Sequence, residues 1–328
     1  MIISKTPLRI SFFGGGTDLP DFINYKSGAV IGSAINKYIY VTINKFESKL
    51  FDHSIRLNYS NIEHVKSLTE IKHKPCRKIL EYFNLSSDIE IHVVSDLPAY
   101  TGLGSSSSFT VGLINSLSNY SGKFLNNHNL CKLAINIEQN ILKESVGSQD
   151  QSFASYGGLN LFRFTKKSIL VKKINISDKN INKLNSNLLL YYTGIKRRSN
   201  DIESKKINNL KKNKTNFEEI LNHVFLAEKL LSNSNSFDDF GLLMHETWQI
   251  KKKLHQNVSN SVIDDIYTKG LKAGALGGKL LGAGSGGFIL FYVPLKDQSK
   301  FRSLFNTHTE ISFKLNAGGS EIIFNNEK

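Results

Sequence analysis

The sequence predicts a fold of mixed β-strands and α-helices, and three observations carry that expectation. Period-two alternation recurs at residues 2–12, 38–46 and 88–95, as half-buried strands require. Apolar residues at helical spacing follow between 105 and 144. Of the five prolines none falls between 99 and 293, so that long stretch is uninterrupted.

Residues 2–12 alternate loosely and are rich in β-prone side chains, while 38–46 and 88–95 alternate strongly. A helix is expected to begin in the serine run 105–108 and to carry Phe109, Leu113 and Leu117 on one face. A second spans about 127–144, with Leu130, Ala134, Ile137 and Ile141 at helical spacing. Leu188–Tyr192 is short and apolar throughout, as a buried strand is. Residues 200–231 and 237–255 carry amphipathic helical patterns, Gly286–Val293 is a strand opened by glycines, and 310–324 gives two more strands. Lys-rich, weakly periodic sequence between about 165 and 188 marks a boundary, dividing the chain into 1–175 and 176–328.

At 328 residues and 40% apolar, the chain can bury a core without staples. Its two cysteines, Cys76 and Cys131, have no metal-ligand spacing, so a reducing cytoplasm is expected. The first residues lack the pattern of a signal peptide, and no apolar run approaches the roughly 20 residues that span a bilayer. A membrane partner is therefore not expected. The formal charge of +14 invites a nucleic-acid reading, but only seven of the 42 basic residues are arginine. The lysines are scattered through Asn- and Ile-rich sequence, not gathered into a stripe with stacking aromatics. Nucleic acid is not expected, while anionic small molecules remain compatible with the charge. Oligomeric state is left open.

The segment 97–109 is the most informative. A strand ends at Pro98, a loop with Gly102, Leu103 and Gly104 follows, and Ser105, Ser106, Ser107 and Ser108 open the helix. A helix N-terminus offers unpaired N–H groups and a positive dipole end to an anion, and glycines let the backbone pass close to it. A helix cap needs one serine, and four exceed that need. The loop is therefore read as a phosphate cradle, although it is not a Walker A sequence. Gly282, Gly284 and Gly287 formally match a dinucleotide fingerprint, but they precede a strand and open no helix, which is the wrong context. The first glycine run places Arg9 in a strand and Gly15, Gly16, Thr17 and Asp18 at its turn. By itself that run is equally a turn with an Asp cap. Glu138 borders the apolar face of its helix, and Asp150 lies in a polar loop at 147–151. Phosphoryl transfer uses a metal ligand and a group that orients or deprotonates the attacking hydroxyl, and two carboxylates can fill those roles. The nine histidines show no zinc spacing, and no nucleophile elbow occurs.

These four segments, in this order, resemble the GHMP kinases, the superfamily of galactokinase, homoserine kinase and mevalonate kinase. The resemblance runs essentially end to end. It implies an α+β fold of two domains, the first like ribosomal protein S5 domain 2 and the second ferredoxin-like, with the active site between them. It implies ATP and Mg²⁺ as cofactors and a small-molecule acceptor. Carried over by position, Asp150 is the base or orienting carboxylate, and Arg9 is the cation beside it. Ser106 and Glu138 hold Mg²⁺, and 102–108 wrap the triphosphate. Gly15, Gly16, Thr17 and Asp18 lie against the substrate, with Asp18 reading sugar hydroxyls, and Gly284, Gly286 and Gly287 shape the substrate side.

Gly14-Gly15-Gly16-Thr17-Asp18 lacks the Glu-His pair of many sugar-kinase members, which argues against galactose. The run is instead similar to the heptose-phosphate kinase branch, which implies a sugar phosphate phosphorylated at its anomeric O1. Lys196, Arg197 and Arg198 form the densest basic cluster, a contact for such a phosphate or simply a solvated basic turn. Fucose-like sugars and mevalonate remain alternative acceptors. A basic RNA-binding protein of the S5 type would leave the glycine motifs and both carboxylates unexplained.

Overall fold

The computed structural model describes residues 1–195, 213–233 and 236–326. Strand β1 (Ile2–Phe13) pairs antiparallel with β2 (Gly28–Lys45), and the short helix α1 (Pro20–Tyr25) fills the connection. The eighteen residues of β2 are enough to serve two further partners on its other edge. Its second half, from Ile39, pairs with β5 (Ile89–Ser95), and its first half, to Ser33, pairs with β6 (Leu159–Phe164). Strands β3 (Ile55–Asn58) and β4 (Ile62–Val65) extend the sheet beyond β5, β7 (Ile169–Lys173) extends it beyond β6, and helix α2 (Lys74–Tyr82) lies between β4 and β5 in the chain.

Helix α3 (Ser105–Tyr120) packs on β1 and β2 and is buried from Ser107 through Ser118. It can sit that deep because Phe109, Val111, Leu113, Ile114 and Leu117 join the core, while its polar residues are small and several are hydrogen-bonded inward. Ser4 donates to the Gly112 carbonyl (2.9 Å) and Ser108 to the Pro7 carbonyl (2.7 Å). Helix α4 (Asn127–Asn136) follows, and helix α5 (Gln149–Tyr156) packs against both α3 and α4. The helix expected over 127–144 is interrupted. After Asn136 the chain widens into a π turn, Ile137–Ile141, which points both Ile137 and Glu138 inward. Such turns recur at functional sites.

After helix α6 (Asp178–Ser186), strand β8 (Leu188–Tyr192) opens the second layer. Helices α7 (Lys214–Asn233), α8 (Asp238–Lys253) and α9 (Ser261–Lys272) come next. They are followed by β9 (Gly277–Leu280), β10 (Phe288–Tyr292), α10 (Gln298–Leu304) and β11 (Glu310–Ile311). This sheet has the order β11-β8-β10-β9 and is antiparallel throughout. Both of its faces are covered. Leu188, Leu190, Phe288 and Leu290 face a core shared with the first layer, while Leu189, Tyr191, Ile289 and Phe291 face a second core built with Trp248, Tyr267, Phe301 and Phe305. That is why β8 and β10 read as continuous apolar runs and not as alternating ones. The last strand, β12 (Glu321–Asn325), returns to pair with β1, so the first layer is built from both ends of the chain. No helix among the described residues is long and apolar enough to cross a membrane.

Candidate active site

Arg9 points from β1 into the seam between the layers and is 4% exposed. Its Nε and Nη2 donate to Asp150 Oδ1 (2.8 Å) and Oδ2 (2.7 Å), a two-point contact that fixes the plane of the carboxylate. Its Nη1 donates to the Gly102 carbonyl (2.6 Å), and its backbone N–H donates to the Leu103 carbonyl (3.0 Å). One arginine therefore ties the glycine loop to the carboxylate at the start of α5. Asp150 remains 26% exposed, accessible to a ligand.

The loop reaches helix α3 through Gly104, whose left-handed backbone (φ +77°) no side chain caps. A Cβ there would lie 3.2 Å from Arg9 Cγ and 3.3 Å from Asp150 Oδ2. The loop thus runs directly against the Arg9–Asp150 pair, with the uncapped N–H groups of α3 beside it. Ser105 and Gly102 are partly exposed, Leu103 is buried, and Ser108 is spent on the Pro7 carbonyl.

Glu138 is buried and accepts a hydrogen bond from Ser107 Oγ (2.9 Å) and another from Gln151 Nε2. The hydroxyl beside Glu138 is thus that of Ser107, where the sequence reading paired Glu138 with Ser106. With α3 starting at Ser105, position 106 faces solvent and position 107 faces inward. Glu138 Oε1 is buried without a partner among the described residues. Burial pushes its pKa up to about 7, against the opposing influence of the nearby Thr110 and Ser107 hydroxyls. A buried carboxylate with one oxygen unmatched, beside a hydroxyl, suits a hard divalent cation. The described residues contain no cluster of three or more His, Cys, Asp or Glu side chains, so such a cation would complete its shell with phosphate oxygens and water.

In the first glycine run the polar side chains are bonded to the scaffold. Thr17 was expected to touch substrate, but its hydroxyl is fully buried and donates toward the Gly14 and Ala29 carbonyls, each 2.8 Å away. Asp18 was expected to read sugar hydroxyls. It is 1% exposed and accepts from the Gly16 N–H (2.9 Å), the Gln149 N–H (3.1 Å) and Gln149 Nε2 (3.3 Å). Burial raises its pKa, and the Gly16 N–H opposes the rise. Asp18 thereby holds the glycine turn against the N-terminus of the helix that carries Asp150. Gly15 and Gly16 line a small cavity at the seam.

From the second layer, Gly287 (φ +100°) approaches the glycine–serine loop so closely that a Cβ would fall 2.2 Å from the Thr101 carbonyl. The Phe288 N–H donates to that same carbonyl (3.0 Å). Gly284 lies against Asn257 and Val258, and Gly286 against Ile195. The third glycine motif therefore braces the loop and its own layer. Arg197, with Lys196 and Arg198, lies outside the described residues.

Residues 71–158 match the N-terminal domain of the GHMP kinases, and residues 226–306 match their C-terminal domain. The D-glycero-alpha-D-manno-heptose 7-phosphate kinase of Campylobacter jejuni is 31% identical over 319 residues, covering 92% of this chain and 93% of that protein. The chain belongs to the GHMP kinase family. A mevalonate kinase of Methanocaldococcus jannaschii is 26% identical, covering 89% of this chain and 92% of its own length. In fold, a D-glycero-D-manno-heptose 1-phosphate kinase from Bacteroides thetaiotaomicron superimposes with a TM-score of 0.81 over 99% of both chains at 24% identity.

As a GHMP kinase the protein is a phosphotransferase with an alcohol acceptor, built on the two-domain α+β fold. Its seam also holds residues that the sequence reading did not single out. Lys251 and Lys279 are 6% and 4% exposed and line the cavity beside Arg9, as does Ser11. Lys251 sits in a Lys-Lys-Lys run at the end of an amphipathic helix, which reads as a solvated terminus. Lys279 stands in a glycine-flanked strand too short to show a pattern.

Proposed function

We propose that this GHMP kinase transfers the γ-phosphoryl of ATP to the anomeric O1 of D-glycero-D-manno-heptose 7-phosphate. Its product would feed the synthesis of nucleotide-activated heptose for surface glycans. The observation that carries the chemistry is the two-point contact of Arg9 with Asp150 at the mouth of the glycine–serine loop. It places a partly exposed carboxylate, fixed in plane, beside a helix N-terminus suited to phosphate. The acceptor assignment is supported by the Campylobacter jejuni relative and by the Gly14–Asp18 run.

In this reading Asp150 takes up or orients the proton of the attacking hydroxyl. Arg9 holds Asp150 in place and balances charge on the transferred group. The loop at 102–105 and the N-terminus of α3 hold the triphosphate. Mg²⁺ fits at Glu138, with Ser106 or Ser107 as the neighbouring hydroxyl, and when bound it neutralises charge on the β- and γ-phosphates. Gly287 and Phe288 of the second layer close directly on Thr101 and so brace the loop from the other side.

The test is ADP release with Mg·ATP against heptose 7-phosphate, heptose, mannose, galactose, fucose and mevalonate. Turnover confined to heptose 7-phosphate is the expected result. Preference for fucose or mevalonate would keep Asp150 and Arg9 in their roles and replace the acceptor.

A further inference from the structure

The two faces of the first-layer sheet are unlike. Ser4, Thr6 and Val41 are fully buried on the face that carries helix α3, where Gly112 lies against all three. The residues between them along each strand point the other way, across six strands in the order β12-β1-β2-β5-β3-β4. The register draws one continuous row over that outer face: Phe324, Ile3, Thr42, His92, Asn58 and Ile62, one from each strand. The row beside it runs through Lys5, Tyr40 and Val94. A solvated sheet face ordinarily carries polar side chains. Here Ile62, Val94 and Phe324 are 68%, 64% and 42% exposed, and Ile3 and Tyr40 are half-buried between them. An apolar patch of this kind marks a surface that another molecule covers.

Charge narrows the choice of occupant. The chain carries a formal +14, yet the charged strand residues of this face are two of each sign. Lys5 pairs with Glu321 at 3.2 Å on the β1/β12 side, and Arg56 approaches Glu90 at 3.5 Å on the β3/β5 side, with Asp96 at the rim. An acidic partner would find nothing to attract it here and would settle on the lysines elsewhere. A second copy of the chain is repelled by every basic surface and meets no net repulsion on this one. The two ion pairs occupy opposite corners, either side of the apolar row. A two-fold axis lying in the plane of the face lays each corner over the other corner of the second copy, positive against negative, as an isologous contact requires. Six strands about 4.8 Å apart make the face about 25 Å wide, and Tyr38 to Asn44 of β2 makes it about 24 Å long. That is the scale of a standard interface, roughly 800 Å² per partner.

We propose that this face is the interface of a homodimer, in which the first-layer sheets of two copies pack face to face across a two-fold axis. Tyr40, Thr42 and Val94 form its centre, and the Lys5–Glu321 and Arg56–Glu90 pairs form its rim. The driving force is apolar burial, working against the like charge of the two chains.

Sedimentation equilibrium of the full chain, over a range of concentrations and at low and high salt, tests this. Twice the chain mass is expected, with an association that tightens as salt screens the repulsion between the chains. Val94→Arg should weaken association about a hundredfold or more, because symmetry brings the new charge into the interface twice. Thr42→Arg, on the neighbouring central row, should do the same, while Val94→Thr should leave the dimer nearly intact. Circular dichroism and melting of the monomeric variants check that each is folded. A chain that is monomeric at every concentration overturns the inference and leaves the face to a partner of another kind. A dimer that folded Val94→Arg and Thr42→Arg both retain, or one that salt dissociates, places the interface elsewhere and overturns it equally.

Discussion

Asp150 is held by two parallel N–H···O contacts, so its exchange for an amide can keep the shape of the site while removing the proton acceptor. Asp150→Asn is expected to fold and to lose about a hundredfold or more in turnover, the usual scale for a general base. Turnover like that of wild type, in a variant whose circular dichroism and melting are normal, would refute the role. Glu138 makes a different prediction, through its protonation. Its pKa stands near 7 against an ordinary 4.5, because burial disfavours the charged form. Between those values the folded chain keeps a proton that the unfolded chain has released, so stability falls as pH rises. The effect of this group is complete above pH 7 and absent below about 4.5, and its size is of order a few kcal/mol. Without Mg²⁺, Glu138→Gln should melt above wild type at pH 8, with the gap closing toward pH 5. A gap that does not vary with pH would remove Glu138 as the titrating group. Mg·ATP should then stabilise wild type and leave the variant little changed, because a cation at Glu138 Oε1 has lost its ligand.

At the level of elements, the start of α3 does the most work. Gly104 adopts φ +77°, and a Cβ would press on Arg9 Cγ and Asp150 Oδ2 at 3.2–3.3 Å. Gly104→Ala adds about 1–2 kcal/mol of left-handed strain and pushes the Arg9–Asp150 pair from its place. A modest drop in melting temperature with at least a tenfold loss in kcat/KM is expected. A loss of stability without a loss of rate would mean that the loop does not set the pair's geometry. This element was legible in the sequence because glycines and serines at a strand-to-helix turn have local, mechanical meanings. The pairing of Arg9 with Asp150 was expected only from the family resemblance, since no local pattern ties a strand residue to a carboxylate 141 positions away. The choice between Ser106 and Ser107 was not legible, since it depends on which helical position first turns inward. The π turn at Ile137–Ile141 left no mark in the apolar spacing, which continues through it. The burial of Thr17 and Asp18 was not legible either, because exposed and buried polar residues look alike in one dimension. Helices α2 and α9 have readable starts, Pro75 in the first turn and Asn260 as a cap accepting from the Ile263 N–H. The lysines of the seam carried no local signal, because the partner of each lies across a tertiary contact.

For the whole molecule, the two layers are coupled through a shared core as well as through the site. Phe240, on α8 of the second layer, packs edge-on against Phe12 and Phe13 of β1, with ring centroids 5.3 and 5.2 Å apart. All three rings are fully buried. The strand they grip also carries Arg9 and Ser11, and Lys279 is hydrogen-bonded to it at the same level. Removing the Phe240 ring should therefore act on stability and on the acceptor side together. Phe240→Ala is expected to cost about 3–5 kcal/mol, as large-to-small core changes do. The variant should still unfold in one transition, because the shared core leaves neither layer a complete interior of its own. It should also raise KM for the acceptor more than for ATP, since the glycine–serine loop proposed to hold the triphosphate is anchored to the first layer by Arg9 and by Ser108. Denaturant unfolding followed by tryptophan fluorescence reports on the second layer, where Trp248, the chain's single tryptophan, is buried, and circular dichroism reports on both. Coincident midpoints from the two probes would support the coupling. Separate midpoints would show that the layers melt independently, and the seam would then be a contact between two stable bodies.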